Sequence, residues 1–383
     1  MLNLLSLPPL ALYVHIPWCV RKCPYCDFNS HQRDGEMPLK AYTQALIEDL
    51  RFDSHLAQGR NISSVFFGGG TPSLMPGEYI AEVLEAVDKT IGLKKGCEIT
   101  LEANPGTAEF QNFSIYRKAG VNRLSMGAQS FDASQLKKLG RIHSPSEITR
   151  AFTLAREAGI ENINLDLMFG LEKQNSAQAT DDLAQAIALK PEHISWYQLT
   201  IEQNTAFYSR PPPLPDDDIL WDIQQAGQAL LAREGYQHYE ISAYARAGKT
   251  SRHNLNYWQF GDYLAIGAGA HGKITQLQQQ QVLRYRKTRL PEHYLAAAAR
   301  GYTASSETVD SKALPFEFMM NALRLCEGAE LSLFNERTGL PLSTIEAKLA
   351  QLRDSGLLDN SAHAIRPSAL GHRYLNNLLE HFL

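Results

Sequence analysis

The chain has 383 residues, 44% hydrophobic and 20% charged, a globular rather than a disordered composition that leaves room for one large domain plus a small one. The formal net charge of −4 gives no general attraction to nucleic acid or acidic lipid. No apolar run approaches the ~20 residues of a spanning helix, and five cysteines are too few for a disulfide scaffold.

The start, Met1 to Leu10, is apolar but has neither a basic n-region nor a small-residue cleavage site. It runs directly into a strand-like stretch, so a signal peptide is rejected and a reducing cytoplasm is expected. Strand signals follow at Leu12–Ile16, Ser64–Phe67, Glu98–Glu102, Arg123–Met126, Ile163–Met168 and His193–Leu199. Helix-like stretches lie between and after them, at Leu39–Gln58, Pro76–Lys89, Ala108–Ala119, Pro145–Ala158, Ala177–Leu189 and Asp216–Glu234. A last strand is expected at Tyr239–Tyr244. Ala119-Gly120, Ala158-Gly159 and Glu234-Gly235 each place a glycine where a left-handed residue stops a helix. Repeated β/α units with apolar strands imply a parallel sheet covered by helices, here about six units and an incomplete barrel. Chemistry in such folds sits at the C-terminal strand ends.

Beyond the Pro211–Pro215 loop and the polar Gln276–Gln281 stretch, read as a hairpin tip or loop, the composition changes. Helices at Phe316–Leu325, Leu331–Arg337, Leu342–Asp354 and Leu370–Leu379, with a small wing at Leu357–Ile365, suggest a winged-helix-like module. Its second long helix sets Lys348 and Arg353 against Glu346 and Asp354 and lacks a basic face. A DNA-binding regulator is therefore disfavoured, and no nucleic-acid partner is expected. The expected division is residues 1–250 (barrel), 251–313 (connecting region) and 314–383 (winged-helix-like domain).

Cys19, Cys23 and Cys26 fall on one loop directly after the first strand. Three such thiolates can each hold one iron of a [4Fe–4S] cubane, leaving the fourth iron open to a small chelator such as S-adenosylmethionine. Structural zinc is the plain alternative, with His15 or His31 as a fourth ligand, and a disulfide would strand one cysteine. Spacing and placement favour the cluster. Cys97 and Cys326 read as small buried hydrophobes.

CxxxCxYC after a first strand resembles the radical SAM superfamily. His15-Ile-Pro-Trp-Cys19 and Cys26-Asp-Phe-Asn29 narrow the resemblance to relatives of oxygen-independent coproporphyrinogen III oxidase, over essentially the whole chain. The implied fold is α/β, a partial (β/α)6-type radical SAM barrel with a small C-terminal winged-helix-like domain. The resemblance assigns S-adenosylmethionine to Gly69, Gly70 and Thr71 in Gly68-Gly-Gly-Thr-Pro-Ser73, and to Tyr13, Tyr25, Glu102, Gln129, Arg141 and Asp166. Asp166 also stands out physically, since a carboxylate in an apolar strand is costly without a partner. A salt bridge to Arg141 or Arg123 would supply one.

Two features depart from the oxidases. Phe28 stands where they carry a further cysteine, and His253-Asn-Leu-Asn-Tyr-Trp258 matches the HNxxYW motif of the haem-chaperone branch. The Gly267–Gly272 loop, with His271 as a second candidate ligand, fits that branch as well. The resemblance implies haem binding at His253, Tyr257 and Trp258, with a neutral imidazole on iron and flat rings against the porphyrin. On spacing alone, a capping histidine and two core aromatics explain the motif as well. The expected function is haem delivery to acceptor haem proteins, respiratory-chain subunits among them. No classical turnover and no catalytic residue are assigned. A radical enzyme acting on a porphyrinogen is the alternative. A homodimer is left open, and membrane contact is expected only through an acceptor.

Overall fold

A computed structural model describes residues 2–32, 35–106 and 112–383. The parallel core consists of β1 (Leu10–Ile16), β2 (Ile62–Gly69), β3 (Leu93–Ala103), β4 (Arg123–Gln129), β5 (Ile163–Phe169) and β6 (His193–Gln198), hydrogen-bonded in that order. Helices α1 (Leu39–Asp53), α2 (Gly77–Thr90), α3 (Phe113–Ala119), α4 (Pro145–Glu157) and α5 (Ser176–Ala188) connect successive strands. The expected start of the third helix, 108–111, lies outside the described residues.

The helices stop where the sequence says they should. Gly120 and Gly159 take φ +112° and +82°, conformations in which a Cβ is costly. Ser144 and Glu147 form a capping box at the start of α4.

Within the strands, side chains alternate. Leu12, Val14, Val65, Leu101, Leu124, Leu165 and Ile194 pack against the helices in one continuous core. The intervening residues face the barrel interior, and the register aligns them. Glu102, Ser125, Asn164 and His193 are successive neighbours across β3 to β6, so one interior row is polar throughout.

The sheet does not close between β1 and β6 but grows outward at both edges. After helix α6 (Asp217–Arg233), the expected single strand Tyr239–Tyr244 is two, β7 (Gln237–Glu240) and β8 (Ala243–Ala245), and β8 runs antiparallel to β6. Helix α7 (Arg252–Trp258) then leads to β9 (Asp262–Ile266), which lies parallel beside β1. Antiparallel strands β10 (His271–Gln276), β11 (Gln281–Lys287) and β12 (Thr303–Thr308) complete a twelve-stranded sheet. The segment expected as a connection thus supplies four strands. Its polarity misleads because β10 and β11 bury charged residues in pairs: Lys273 with Asp262, and Lys287 with Asp49 and Asp53.

The C-terminal module has its own core around Phe318, Phe334, Leu349, Leu352 and Leu378. The expected wing at 357–365 is a short antiparallel loop, closed by the Leu358–Pro367 bridge and by Asp359 N–H to Arg366 O at 2.9 Å, and it is extended by a third segment. Ala364–Ile365 pairs with Ala329–Glu330 ahead of the second helix of the module. Leu349 and Leu352 turn the expected recognition helix, observed at Glu346–Asp354, into a packing element. The apolar start of the chain is clasped to this module and to the hairpin, through Asn3 N–H to Gly339 O at 2.8 Å and Leu4 N–H to Gln280 Oε1 at 2.7 Å.

Candidate functional site

Two neighbouring cavities occupy the barrel mouth. The smaller, about 380 Å³, holds Cys19, Cys23 and Cys26 at one side and Glu102, Ser125, Asn164 and Asp166 of the barrel interior at the other. The larger, about 910 Å³, lies against α7 and the β10–β11 hairpin. Gly69, Glu102 and Phe28 line both, so the cavities meet there.

The cysteine loop is pinned from several directions. Phe207 N–H donates to Pro24 O at 2.9 Å, and Lys22 Nζ donates to Ser30 O at 3.2 Å. Ser30 Oγ lies 3.7 Å from Cys26 Sγ, and Arg141 Nη1 donates to Cys23 Sγ at 3.6 Å. All five cysteines are free, so a disulfide does not form. Burial pushes the thiols of Cys19 and Cys26 up, which leaves their deprotonation to a bound metal.

The donor set suits a cubane better than one metal ion. Among the described residues no three His, Cys, Asp or Glu side chains converge on a single ion position. In a cubane each thiolate binds a different iron, so convergence is not needed. His15, one expected zinc ligand, has both ring nitrogens engaged, Nδ1 at 2.9 Å from Tyr13 Oη and Nε2 at 2.9 Å from Asn29 O.

The glycine run after β2 passes under the same loop. Gly69 takes φ +120°, and its N–H donates to Glu102 Oε2 at 3.2 Å. A Cβ on Gly70 would stand 2.5 Å from Trp18 O and 3.0 Å from Cys19 Sγ, so backbone and thiol approach as only glycine allows. Thr71 Oγ1 accepts from Asn104 Nδ2 at 3.0 Å, and Asn104 Oδ1 accepts from Arg141 Nη2 at 2.6 Å.

Glu102 is the most perturbed acid of the site. Burial, with Asp166 adding repulsion, raises its pKa to about 8. Asp166 is also shifted up by burial, but Ser125 Oγ at 3.0 Å and Asn164 Nδ2 at 2.8 Å hold it. Neutral donors thus make the direct contacts, Arg123 acts on Asp166 as a nearby positive charge, and Arg141 goes to Asn104, Gly127 O and Cys23. Gln129, left-handed at φ +68°, accepts from Tyr197 Oη at 2.8 Å. Tyr25 borders the cysteine cavity beside Phe207. Tyr13 instead lines the larger cavity.

Sequence reading passed over Asn104 and Tyr197. Asn104 lies two residues past Glu102, on the same side of the extended chain. Tyr197 shares its strand face with Ser195, as period-two alternation already implies.

In the larger cavity Tyr257 and Trp258 are half-buried lining residues. His253 is not among them. It is buried behind the wall, with Nδ1 at 3.0 Å from Ser64 Oγ, Nε2 at 2.9 Å from Tyr257 Oη, and its ring against Phe66. Both of its ring nitrogens are thus engaged by neighbours, the arrangement a structural histidine would have. His271 lies exposed in the cavity wall.

A parallel barrel with three thiols on its first loop and a glycine cradle beneath them defines a class, and the comparisons agree with it. The pattern of the Radical SAM superfamily matches residues 13–186, and that of the HemN C-terminal domain matches 309–374. The chain is 50% identical over 380 residues to the heme chaperone HemW of Escherichia coli (strain K12), covering 99% of this chain and 100% of that one. It is 49% identical to HemW of Haemophilus influenzae, over 99% of both chains. Among solved structures, coproporphyrinogen III oxidase (HemN) of Escherichia coli, a radical SAM enzyme, superposes with a TM-score of 0.82 at 23% identity, over 98% of this chain and 90% of that one, a likeness of fold. The chain belongs to the radical SAM superfamily, in the family of the heme chaperone HemW. Membership implies a [4Fe–4S] cluster and S-adenosylmethionine. Among the described residues no helix is long and apolar enough to cross a membrane.

Proposed function

We propose that this protein is a haem chaperone: it binds haem in the larger cavity and passes it to acceptor haem proteins. The observation that carries this reading is an aromatic cavity of about 910 Å³ sharing Gly69, Glu102 and Phe28 with the thiol cavity. The volume lies near the top of the range of roughly 300–1,000 Å³ usual for small-molecule sites. The relatives named HemW supply the direction of the reading.

Cys19, Cys23 and Cys26 hold the cluster in this account. Gly69, Gly70, Thr71, Glu102, Gln129, Arg141 and Asp166 surround S-adenosylmethionine, with Tyr25 at the cysteine loop and Tyr13 at the junction with the haem site. Glu102, near the end of β3, lines both cavities and accepts from Gly69 N–H, so it would lie within the shell around that ligand. Arg141 and Asn104 orient Thr71. When bound, the cluster and S-adenosylmethionine supply one-electron reductive chemistry. Tyr257 and Trp258 give flat contact to the porphyrin, and His253 acts by fixing Tyr257. The acceptors include respiratory-chain subunits, reached from the cytoplasm, with any membrane contact made through the acceptor. A homodimer is compatible with this role.

The same junction favours a second reading, a radical enzyme on a porphyrinogen, because a substrate in the larger cavity would border the thiol cavity. One experiment separates the two. Anaerobically reconstituted protein is given haem and an apo-haem acceptor in one reaction, and coproporphyrinogen III with S-adenosylmethionine in another. Haem transfer without protoporphyrinogen formation is expected. Protoporphyrinogen formation, or no haem binding, overturns the chaperone reading.

A further inference from the structure

We propose that His271 is the iron ligand of the larger cavity, and that Arg286 and Arg289 receive the carboxylate side chains of the porphyrin, so that the histidine of the HNxxYW segment shapes the wall and does not touch the metal. This deepens the haem-carrier reading and rests on it.

Three histidines approach the cavity, and their hydrogen bonds separate them. His15 is held by Tyr13 and Asn29, and His253 by Ser64 and Tyr257, through both nitrogens in each case. Freeing either ring would break two buried interactions. His271 makes no side-chain hydrogen bond among the described residues and is exposed to the cavity. Of these three it is the one that offers an imidazole nitrogen with nothing to give up.

Its backbone is fixed. Gly267 and Gly269, both at positive φ, lead into it, and a Cβ on Gly269 would stand 2.1 Å from Asn29 Nδ2. Ala270, just before it, accepts from Lys287 N–H at 2.8 Å. A ligand on a strand end with such a tightly packed approach is positioned before the iron arrives. Burial and the nearby Arg286 and Arg284 also lower its pKa, favouring the neutral form that binds metal.

The arginines fit the other end of the cargo. Arg286 is the direct cross-strand partner of His271. Its Nε donates to Ser305 Oγ at 2.8 Å, and that of Arg289 donates to Asn29 Oδ1 at 3.2 Å. Their terminal nitrogens have no carboxylate partner among the described residues. Lys287, also in the wall, is neutralised by Asp49 and Asp53. Asp27 and Glu102 are the acids of the lining, on the side of the cysteine loop and β3. The chemistry recognised is therefore a flat apolar ring with a Lewis-acid metal and anionic carboxylates at one edge.

The test uses the full chain titrated with ferric haem and, separately, with metal-free protoporphyrin IX, read by absorption and EPR. His271→Ala is expected to weaken haem binding at least about tenfold and to remove the histidine-ligated signature. Metal-free porphyrin binding should persist, and added imidazole should restore the signature. The double variant Arg286→Ala, Arg289→Ala should weaken both porphyrins by about tenfold. His253→Gln, which can keep one of its hydrogen bonds, should lower affinity yet retain the signature, with circular dichroism reporting its fold. If His271→Ala keeps the wild-type signature and affinity, or if folded His253→Gln loses the signature, the ligand assignment is overturned while haem binding stands. If the wild-type chain binds no haem at all, the chaperone reading itself fails.

Discussion

Tyr257 Oη lies 2.9 Å from His253 Nε2, and the two rings meet edge to face with centroids 4.9 Å apart. His253 Nδ1 reaches Ser64 on β2, so one imidazole ties α7 to the parallel core. Spacing of four residues puts both side chains on one helix face. Only the packing of that face on β2 turns the histidine inward and leaves the tyrosine at the cavity.

Replacing His253 with alanine should cost about 2–4 kcal/mol, from a buried void and an unsatisfied Ser64 hydroxyl. Burial holds the His253 pKa at about 3, below the value near 6.5 of an unfolded chain. The unfolded state therefore binds a proton first, and stability falls as pH drops from about 6.5 toward 3. His15 and His143, each lowered to about 4, act in the same direction. Thermal melts across this range should show wild-type destabilisation on acidification, with a shallower slope in His253→Ala.

Glu102 has the opposite sign. Its pKa of about 8 exceeds the unfolded value of 4.5, so the folded chain holds the proton longer and stability is lost as pH rises from 4.5 to 8. Glu102→Gln should melt higher than the wild-type apoprotein at pH 8 and no higher at pH 4.5. The same variant should bind S-adenosylmethionine more weakly by calorimetry, having lost an acidic group from the lining of the cavity. An unchanged melting difference across the pH range would refute the assignment of the shift.

Gly70→Ala places a methyl group 2.5 Å from Trp18 O and 3.0 Å from Cys19 Sγ. The loop must move, so the variant should fold but reconstitute with reduced iron and sulfide. Normal iron content together with normal S-adenosylmethionine binding would show that this close approach is not needed.

Alanine at Cys19, Cys23 or Cys26 should abolish the cluster absorption band. Alanine at Cys97, buried in the core, or at Cys326 should leave it intact. Loss of the band in either control would mean that the three-thiol assignment is incomplete.

Lys287→Met should destabilise by about 3–5 kcal/mol, because it leaves Asp49 and Asp53 buried without their cation. Urea unfolding measures this, and adding Asp49→Asn should recover part of the loss.

Local signals carried much of the layout. Periodic apolar runs and terminal glycines gave the six parallel strands and their helices, because strand alternation and left-handed helix stops are properties of a few adjacent residues. The β9–β12 region escaped the same reading. Lys273 and Lys287 look like solvent-facing residues until the register places them on Asp262, Asp49 and Asp53.

The sequence by itself determined the thiol loop, the glycine run beneath it and the polar residues at strand ends, since each is defined by spacing along one segment. Tertiary structure decided which of these groups meet. It set Glu102, Ser125, Asn164 and His193 in one interior row, gave Asp166 neutral hydrogen-bond donors, and turned His253 into the wall while leaving His271 at the cavity. Those outcomes depend on strand register and on helix-to-sheet contacts between residues far apart in the chain, which no local pattern encodes.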